Sequence, residues 1–88
     1  MRILSFEWDR DNVEHIARHA VNPHEAEEVC IDKPFIVRGR NDRHLIYGQT
    51  LSGRYLFLVI HYRGNNCAFV ITAREMTETE KRLYHRKK

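Results

Sequence analysis

Six arginines between residues 38 and 74 are the side chains best suited to chemistry on a charged substrate: Arg38, Arg40, Arg43, Arg54, Arg63 and Arg74. The planar guanidinium group donates paired hydrogen bonds that fit phosphate oxygens better than an ammonium group does. Many of the acidic residues lie instead in the first third of the chain. The formal net charge is +3, a mild basic excess that favours a polyanionic partner without identifying it.

The spacing of histidine and cysteine argues against a metal site. His15 and His19 are four residues apart and would share one helix face, but the sequence places no third ligand near them. Cys30 and Cys67 lack the paired spacing of zinc sites and are expected to be small buried side chains in a reducing compartment. We therefore expect neither a metal nor a cofactor.

The length of 88 residues predicts one domain over residues 1–88, with a core too thin for a deep internal cavity. An active site is therefore expected in an open groove or on a sheet face. The first residues lack the pattern of a signal peptide, and the longest apolar run, residues 56–60, is far too short to span a membrane. These features predict a soluble, cytoplasmic protein with no membrane partner.

Capping signals and a change of hydrophobic period predict an α+β domain. A short strand at residues 2–6 precedes two helices, the first capped by Asp9 and ending near residue 19, the second capped by Asn22 and ending before Pro34. Strands follow at residues 35–38, 43–50, 54–62 and 67–73, and Thr77 opens a last helix that continues to about residue 86. Short turns predict a central antiparallel sheet of four to five strands, with helices packed on one face.

Four-residue connections at residues 50–53 and 63–66 would fix which strand residues share a face. One face would then carry Arg43, Leu45, Tyr47, Gln49, Arg54, Leu56, Leu58, Ile60, Cys67, Phe69 and Ile71. The other, expected under the helices, would carry His44, Ile46, Phe57, Val59, His61, Val70 and Thr72. On this prediction Arg43, Tyr47, Gln49 and Arg54 share the more polar surface. A one-residue change in either turn would reverse the assignment.

Three stretches of the sequence resemble one family in the same order along the chain. They are Phe6-Glu7-Trp8-Asp9 with Arg18-His19-Ala20-Val21, then Asp42-Arg43, Gly48 and Gly53-Arg54, and last Thr72-Ala73-Arg74 with Glu80 and Tyr84. Together they resemble the BrnT toxins of type II toxin–antitoxin systems over almost the whole chain. The resemblance implies a RelE-like fold, endoribonuclease activity on RNA, and a cognate ribbon-helix-helix antitoxin that caps the active face. It also implies oligomers formed through the antitoxin, which alone contacts operator DNA.

Metal-free cleavage of RNA needs an acceptor for the 2′-hydroxyl proton, positive charge at the phosphate and a proton for the leaving 5′ oxygen. The resemblance makes Arg54 and Arg74 the first choices for phosphate contacts, although strict alternation would place them on opposite faces. His19 and Tyr84 are the candidates for proton transfer, but His19 would equally suit a helix end and Tyr84 would equally suit packing on the sheet. The predicted substrate-binding residues are Arg43, Tyr47 and Arg63.

The sequence departs from the family pattern at three places. Phe69 stands where many members place an arginine, Arg18-His19-Ala20 replaces the usual Lys-His-Gly, and the stretch between Pro34 and Arg43 is shortened. Loss of an arginine from the active face would weaken phosphate stabilisation. The alternative function is therefore a catalytically weak binding module that acts mainly in a repressing complex with its antitoxin, and a third possibility is a solitary degenerate copy.

Overall fold

The computed structural model describes residues 1–87, which form three helices and a five-stranded sheet. The elements follow the chain in the order β1 (Ser5–Glu7), α1 (Arg10–Ala17), α2 (Pro23–Ile31), β2 (Phe35–Arg38), β3 (Arg43–Gln49), β4 (Tyr55–Gly64), β5 (Cys67–Glu75) and α3 (Glu78–Lys87). This confirms the predicted α+β class and the two N-terminal helices and one C-terminal helix. Within the described range, no helix is long and apolar enough to cross a membrane.

Local side-chain caps begin all three helices where the sequence predicts. The Asp9 carboxylate accepts the Asn12 N–H at 2.9 Å at the start of α1. The Asn22 side chain accepts the Glu25 N–H at 2.9 Å at the start of α2, where Pro23 occupies the first turn. Before α3 the Thr77 hydroxyl and the Glu80 carboxylate satisfy each other's backbone N–H groups. These bonds join only neighbouring residues, which is why the sequence alone reveals the helix starts.

The sheet has the strand order β1-β5-β4-β3-β2. Strands β2 to β5 form the predicted antiparallel meander, whereas β1 pairs with β5 in parallel. Parallel neighbours cannot be joined by a tight turn. Two helices and three strands, α1 to β4, separate β1 from β5 in the chain. Because the β1–β5 pair is parallel and the other pairs are antiparallel, the sheet is mixed.

Both hairpins have a register different from the predicted one. Gln49 pairs with Tyr55, so five residues rather than four connect β3 to β4. At the next hairpin Gly64 pairs with Cys67, and irregularities beside Tyr62 and between Val59 and Ile60 shift β5 further. Because side chains alternate with a period of two, these shifts reverse the predicted faces of β4. Phe57, Val59 and His61 consequently lie on the face opposite the α1–α2 helices.

The main core lies between the sheet and the α1–α2 pair. It contains Ile16, Ala26, Val29, Ile46, Leu56, Leu58, Ile60, Ala68, Val70 and Ala73, each completely buried. The approach of α2 to β3 is close: a Cβ on Gly48 would lie 2.9 Å from the Val29 side chain. On the other face α3 covers a second cluster made by Tyr47, Phe57, Met76 and Tyr84. Helices therefore pack on both faces of the sheet, whereas the sequence predicted one.

Candidate functional site

The face of the sheet that is opposite α1 and α2 is only partly covered, and we call it the open face. Helix α3 packs at one end of it, where the Tyr84 ring lies 6.0 Å from that of Tyr55. Towards the other end, Leu45 on β3 and Val59 on β4 are paired and form a half-buried apolar step. Beyond this step lie the charged side chains described next.

Four residues on adjacent strands form a charged row at the uncovered end of the open face. Arg43 pairs with His61, His61 pairs with Phe69, and Phe69 pairs with Glu7. Directly paired residues on one face have Cβ atoms about 4.5–5.5 Å apart. The row therefore brings a guanidinium, an imidazole, an aromatic ring and a carboxylate, from β3, β4, β5 and β1, into one line.

Arg63 adds a second guanidinium to the charged row from the end of β4. Its Nε lies 3.3 Å from Oε1 of Glu7, and its guanidinium carbon lies 5.1 Å from the centre of the Phe69 ring. Both charged side chains are nearly half exposed, so this ion pair contributes little to stability. Its effect is positional, because the ring and the carboxylate hold Arg63 over the row.

Arg43 and His61 are available to a ligand. Within residues 1–87, neither the Arg43 guanidinium nor the His61 imidazole makes a hydrogen bond or ion pair with another side chain or with the backbone. Arg43 is exposed and His61 is half-buried. The row thus offers donors and a proton-accepting nitrogen that the fold itself does not use.

Arg54 does not share this surface, so the predicted grouping of Arg54 with Arg43 and Tyr47 is wrong. The extra residue in the β3–β4 connection turns Arg54 toward the helices, where Nη1 binds the Glu25 carboxylate at 2.8 Å and the Ala20 carbonyl at 2.9 Å. Its Nη2 donates to Glu75 at 3.1 Å. The hydrogen bond to Glu25 raises the pKa of Arg54. Its catalytic role stays a prediction, and its contacts are those of a brace between α2 and the sheet.

Arg74 lies on the open face beneath α3, opposite Arg54, as strict alternation predicts. Its two terminal nitrogens bind both oxygens of Glu80 at 2.8 and 2.9 Å, and its guanidinium stacks 4.4 Å from the Phe57 ring centre. The same hydrogen bonds lower the pKa of Glu80, outweighing the effect of burial. The guanidinium is held rigidly, but the carboxylate already occupies the donors that a phosphate would use.

The remaining predicted residues are also apart from the charged row. His19 lies in the turn after α1, on the helix side, with its ring 5.5 Å from that of His15. Tyr84 is 1% exposed within the second cluster. Tyr47 is 7% exposed between the rings of Phe35 and Phe57, and burial raises its pKa. Of the predicted residues, Arg43 and Arg63 are the two that the fold brings together on open surface.

The cysteines and histidines form no metal cluster in the part of the chain that the structure describes, where no group of three or more His, Cys, Asp or Glu side chains is placed to hold an ion. Cys30 lies on the buried side of α2, and burial raises the pKa of its thiol to about 12. It is a core side chain, as the sequence predicts, and its thiol is unreactive.

The comparisons with known proteins identify the family. A model of the ribonuclease toxin BrnT of type II toxin–antitoxin systems matches residues 8–80. The chain belongs to the BrnT family. The 1.1 Å crystal structure of the Brucella abortus ribonuclease toxin BrnT superimposes with a TM-score of 0.69 at 17% sequence identity, over 85% of this chain and 99% of that one. At this identity the likeness establishes the fold alone, and no curated protein sequence matches the chain.

His61 is the residue of the charged row that the sequence prediction missed. The predicted register placed it in the core, whereas the observed pairing places it between Arg43 and Phe69 on the open face. A signal for its position is present in the sequence of β4, where Leu56, Leu58 and Ile60 are all strongly apolar. Three such residues at alternate positions favour burial of that side of the strand, which leaves His61 on the other.

Proposed function

We propose that this BrnT-family protein is a metal-independent endoribonuclease that binds an RNA strand across the charged row. The observation that carries the proposal is the position of Arg43 and Arg63 on either side of His61, on sheet surface that no described helix covers. A sheet face suits an extended strand, and two guanidinium groups suit a phosphodiester between them. The family description as a ribonuclease toxin supports the choice of RNA.

The arginines would act by neutralising charge. Attack of a 2′ oxygen on the adjacent phosphate builds negative charge on the phosphorane oxygens, and donors held in place before the reaction stabilise that charge most effectively. Phe69 and Glu7 favour a position of Arg63 over the row, which brings its guanidinium towards this requirement. Arg43 has no competing carboxylate partner within residues 1–87, so its donors can turn to the substrate.

A cleavage assay with matched arginine variants tests this function. Wild-type protein is expected to degrade labelled RNA in the presence of a chelator, and Arg43→Ala with Arg63→Ala together should reduce the rate by about 100-fold or more. Arg10→Ala, an exposed arginine on α1, removes a positive charge on the other side of the sheet and is the control. RNA that stays intact with wild-type protein would refute the proposal, as would equal rates for the double variant and the control.

A type II toxin implies an antitoxin. We propose that this antitoxin is a ribbon-helix-helix protein that covers the open face, links toxin copies into an oligomer and brings the complex to operator DNA. An antitoxin that covers the charged row would prevent RNA from binding there and would bury the apolar step formed by Leu45 and Val59. Addition of the purified antitoxin should abolish cleavage, and Leu45→Glu should weaken the complex.

The second candidate is a binding module with little or no cleavage activity. Phe69 favours it, because an uncharged ring occupies the centre of the charged row. On this alternative, expression of the chain alone would leave growth unaffected while antitoxin binding stays tight. Under the ribonuclease proposal, expression alone should stop growth, and the Arg43→Ala, Arg63→Ala double variant should restore it.

A further inference from the structure

We propose that His61 accepts the 2′-hydroxyl proton during RNA cleavage, an assignment that rests on the function proposed above. The argument begins from the strand register. His61 is paired with Arg43 on β3 and with Phe69 on β5, and Arg63 lies over the Phe69 ring. A phosphate held between the two guanidinium groups would therefore lie next to the imidazole, about one side-chain length above the sheet.

The state of the imidazole supports this role. Neither ring nitrogen of His61 has a hydrogen-bond partner within residues 1–87, although the side chain is half-buried. Because the ring is only half-buried, its nitrogens are not committed to the interior of the fold and a substrate on the open face can reach them. Here both nitrogens are free for the substrate, and imidazole is the side chain most often used for proton transfer.

The other five histidines are unsuited to the same task by position or by contact. His44 is buried on the helix-covered face, and His15 bonds the Thr72 hydroxyl at 2.9 Å. His24 pairs with Glu28 on α2, and the His19 ring is in edge contact with that of His15 on the helix side. His85 lies on α3 with its ring 5.3 Å from that of Tyr55, at the covered end of the open face. His61 is thus the histidine on the charged row.

The reaction step is a transesterification. The 2′-hydroxyl proton moves to the free imidazole nitrogen, the 2′ oxygen forms a bond to phosphorus, and the bond from phosphorus to the 5′ oxygen breaks. A proton from water reaches the leaving 5′ oxygen, and the imidazolium returns its proton to solvent. The products are a 2′,3′-cyclic phosphate and a 5′-hydroxyl end, so no oxidant, reductant or further reactant is needed.

Two variants of His61 separate proton transfer from binding and folding. His61→Ala and His61→Gln should each cleave RNA at least about 100-fold more slowly than wild type. Both should bind an oligonucleotide that carries a single 2′-deoxy substitution at the cleavage site within threefold of the wild-type Kd. His24→Ala, an exposed histidine on α2, is the matched control and should cleave at the wild-type rate.

Two further readouts would not respond to a merely structural role. Free imidazole should restore part of the activity of His61→Ala, and the wild-type rate should rise with pH through the range in which histidine loses its proton, a rise that the variant lacks. The charged groups that share the row with the imidazole are Glu7, Arg43 and Arg63, and the thiol of Cys67 lies two residues before Phe69 on β5. Glu7→Gln, which removes a contact of Arg63, should cleave more slowly but keep the rise of the rate with pH. Cys67→Ala should keep the pH profile of the wild type.

The outcomes distinguish this inference from the function on which it rests. Wild-type protein that leaves RNA intact refutes the ribonuclease proposal itself and the role of His61 with it. Wild-type protein that cleaves while both His61 variants cleave within threefold of it overturns His61 alone, as does the absence of imidazole rescue. If His61→Ala is unfolded by circular dichroism, the rate and pH profile of His61→Gln decide the question.

Discussion

Arg54→Ala is expected to destabilise the fold while leaving RNA cleavage intact at temperatures where the variant is folded. In the structure Arg54 joins three segments that are distant in sequence. Its Nη1 binds Glu25 on α2 at 2.8 Å and the Ala20 carbonyl at 2.9 Å, and its Nη2 binds Glu75 on β5 at 3.1 Å. None of these partners lies on the charged row.

The expected loss follows from the exposure of each pair. Arg54 and Glu25 are 27% and 20% exposed, so their ion pair is only partly screened and contributes about 1–2 kcal/mol. The bond to the Ala20 carbonyl adds about 1 kcal/mol. Glu75 is 66% exposed and adds little. A total of about 2–3 kcal/mol should lower Tm by about 10–20 °C in a domain of this size.

Urea titrations at several pH values provide the assay, with the fluorescence of Trp8 as reporter, since its indole N–H binds Glu27 at 2.8 Å and links β1 to α2. Burial would raise the pKa of Glu25, but the bonds from Arg54 and the Asn22 N–H outweigh it and lower the pKa from 4.5. A lowered pKa stabilises the fold above the unfolded value, and this stability is lost as pH falls through the folded value. The gap between wild type and Arg54→Ala should therefore be full above about pH 5 and shrink below pH 4.5.

Unchanged stability of Arg54→Ala together with lost cleavage would refute this reasoning. It would show that Arg54 leaves its carboxylates to contact substrate, as the sequence resemblance alone suggested. A stability gap that stays constant down to pH 3 would show that the ion pair with Glu25 is not the source of the effect.

Three further substitutions test other features of the fold. Glu80→Gln removes the two-bond ion pair with Arg74 and should lower the free energy of unfolding by about 1–2 kcal/mol at neutral pH. The pKa of Glu80 is lowered in the fold, so the stability from this pair is lost as the pH falls and the difference between variant and wild type should disappear in acid. Urea titration at pH 7 and pH 3 checks this. His44→Phe should raise stability by about 1 kcal/mol, since Nδ1 of this buried ring has no partner within the described residues; a loss would contradict the reasoning. Ala20→Gly should raise the free energy of unfolding by about 0.5–1 kcal/mol and Tm by a few degrees, because Ala20 has a φ of 60° in the turn after α1. Thermal melting that shows no gain in Tm would argue against backbone strain at this residue.

The sequence predicted the elements well because their signals are local. The Asp9, Asn22 and Thr77 caps each bind an N–H only three residues away, so the residues that begin a helix are adjacent in the chain. The turn at residues 18–20 that follows α1 is also a local feature. The Val21 N–H binds the Ile16 carbonyl and the Ala20 N–H binds the Ala17 carbonyl, a pattern that normally has glycine where Ala20 stands.

The candidate site was harder to predict, because its residues come from four strands. Arg43 and Arg63 were predicted as substrate-binding residues and lie together on the open face. His61 was assigned to the core, because the length of one hairpin connection was underestimated by a residue. Arg54 was grouped with Arg43 for the same reason. Its carboxylate partners, Glu25 and Glu75, lie 29 and 21 residues away and have no local signature.

The amino-acid sequence by itself determined the class of fold, the starts of the helices, the antiparallel meander of β2 to β5 and the family. Each of these depends on side chains that act on their own neighbourhood or on motifs in linear order. Only the tertiary structure decided which side chains share a surface. In a strand the direction of a side chain reverses at every residue, so a single extra residue in a turn exchanges the buried and the open face. Because five residues rather than four connect β3 to β4, Arg54 lies against the helices and His61 lies on the row beside Arg43.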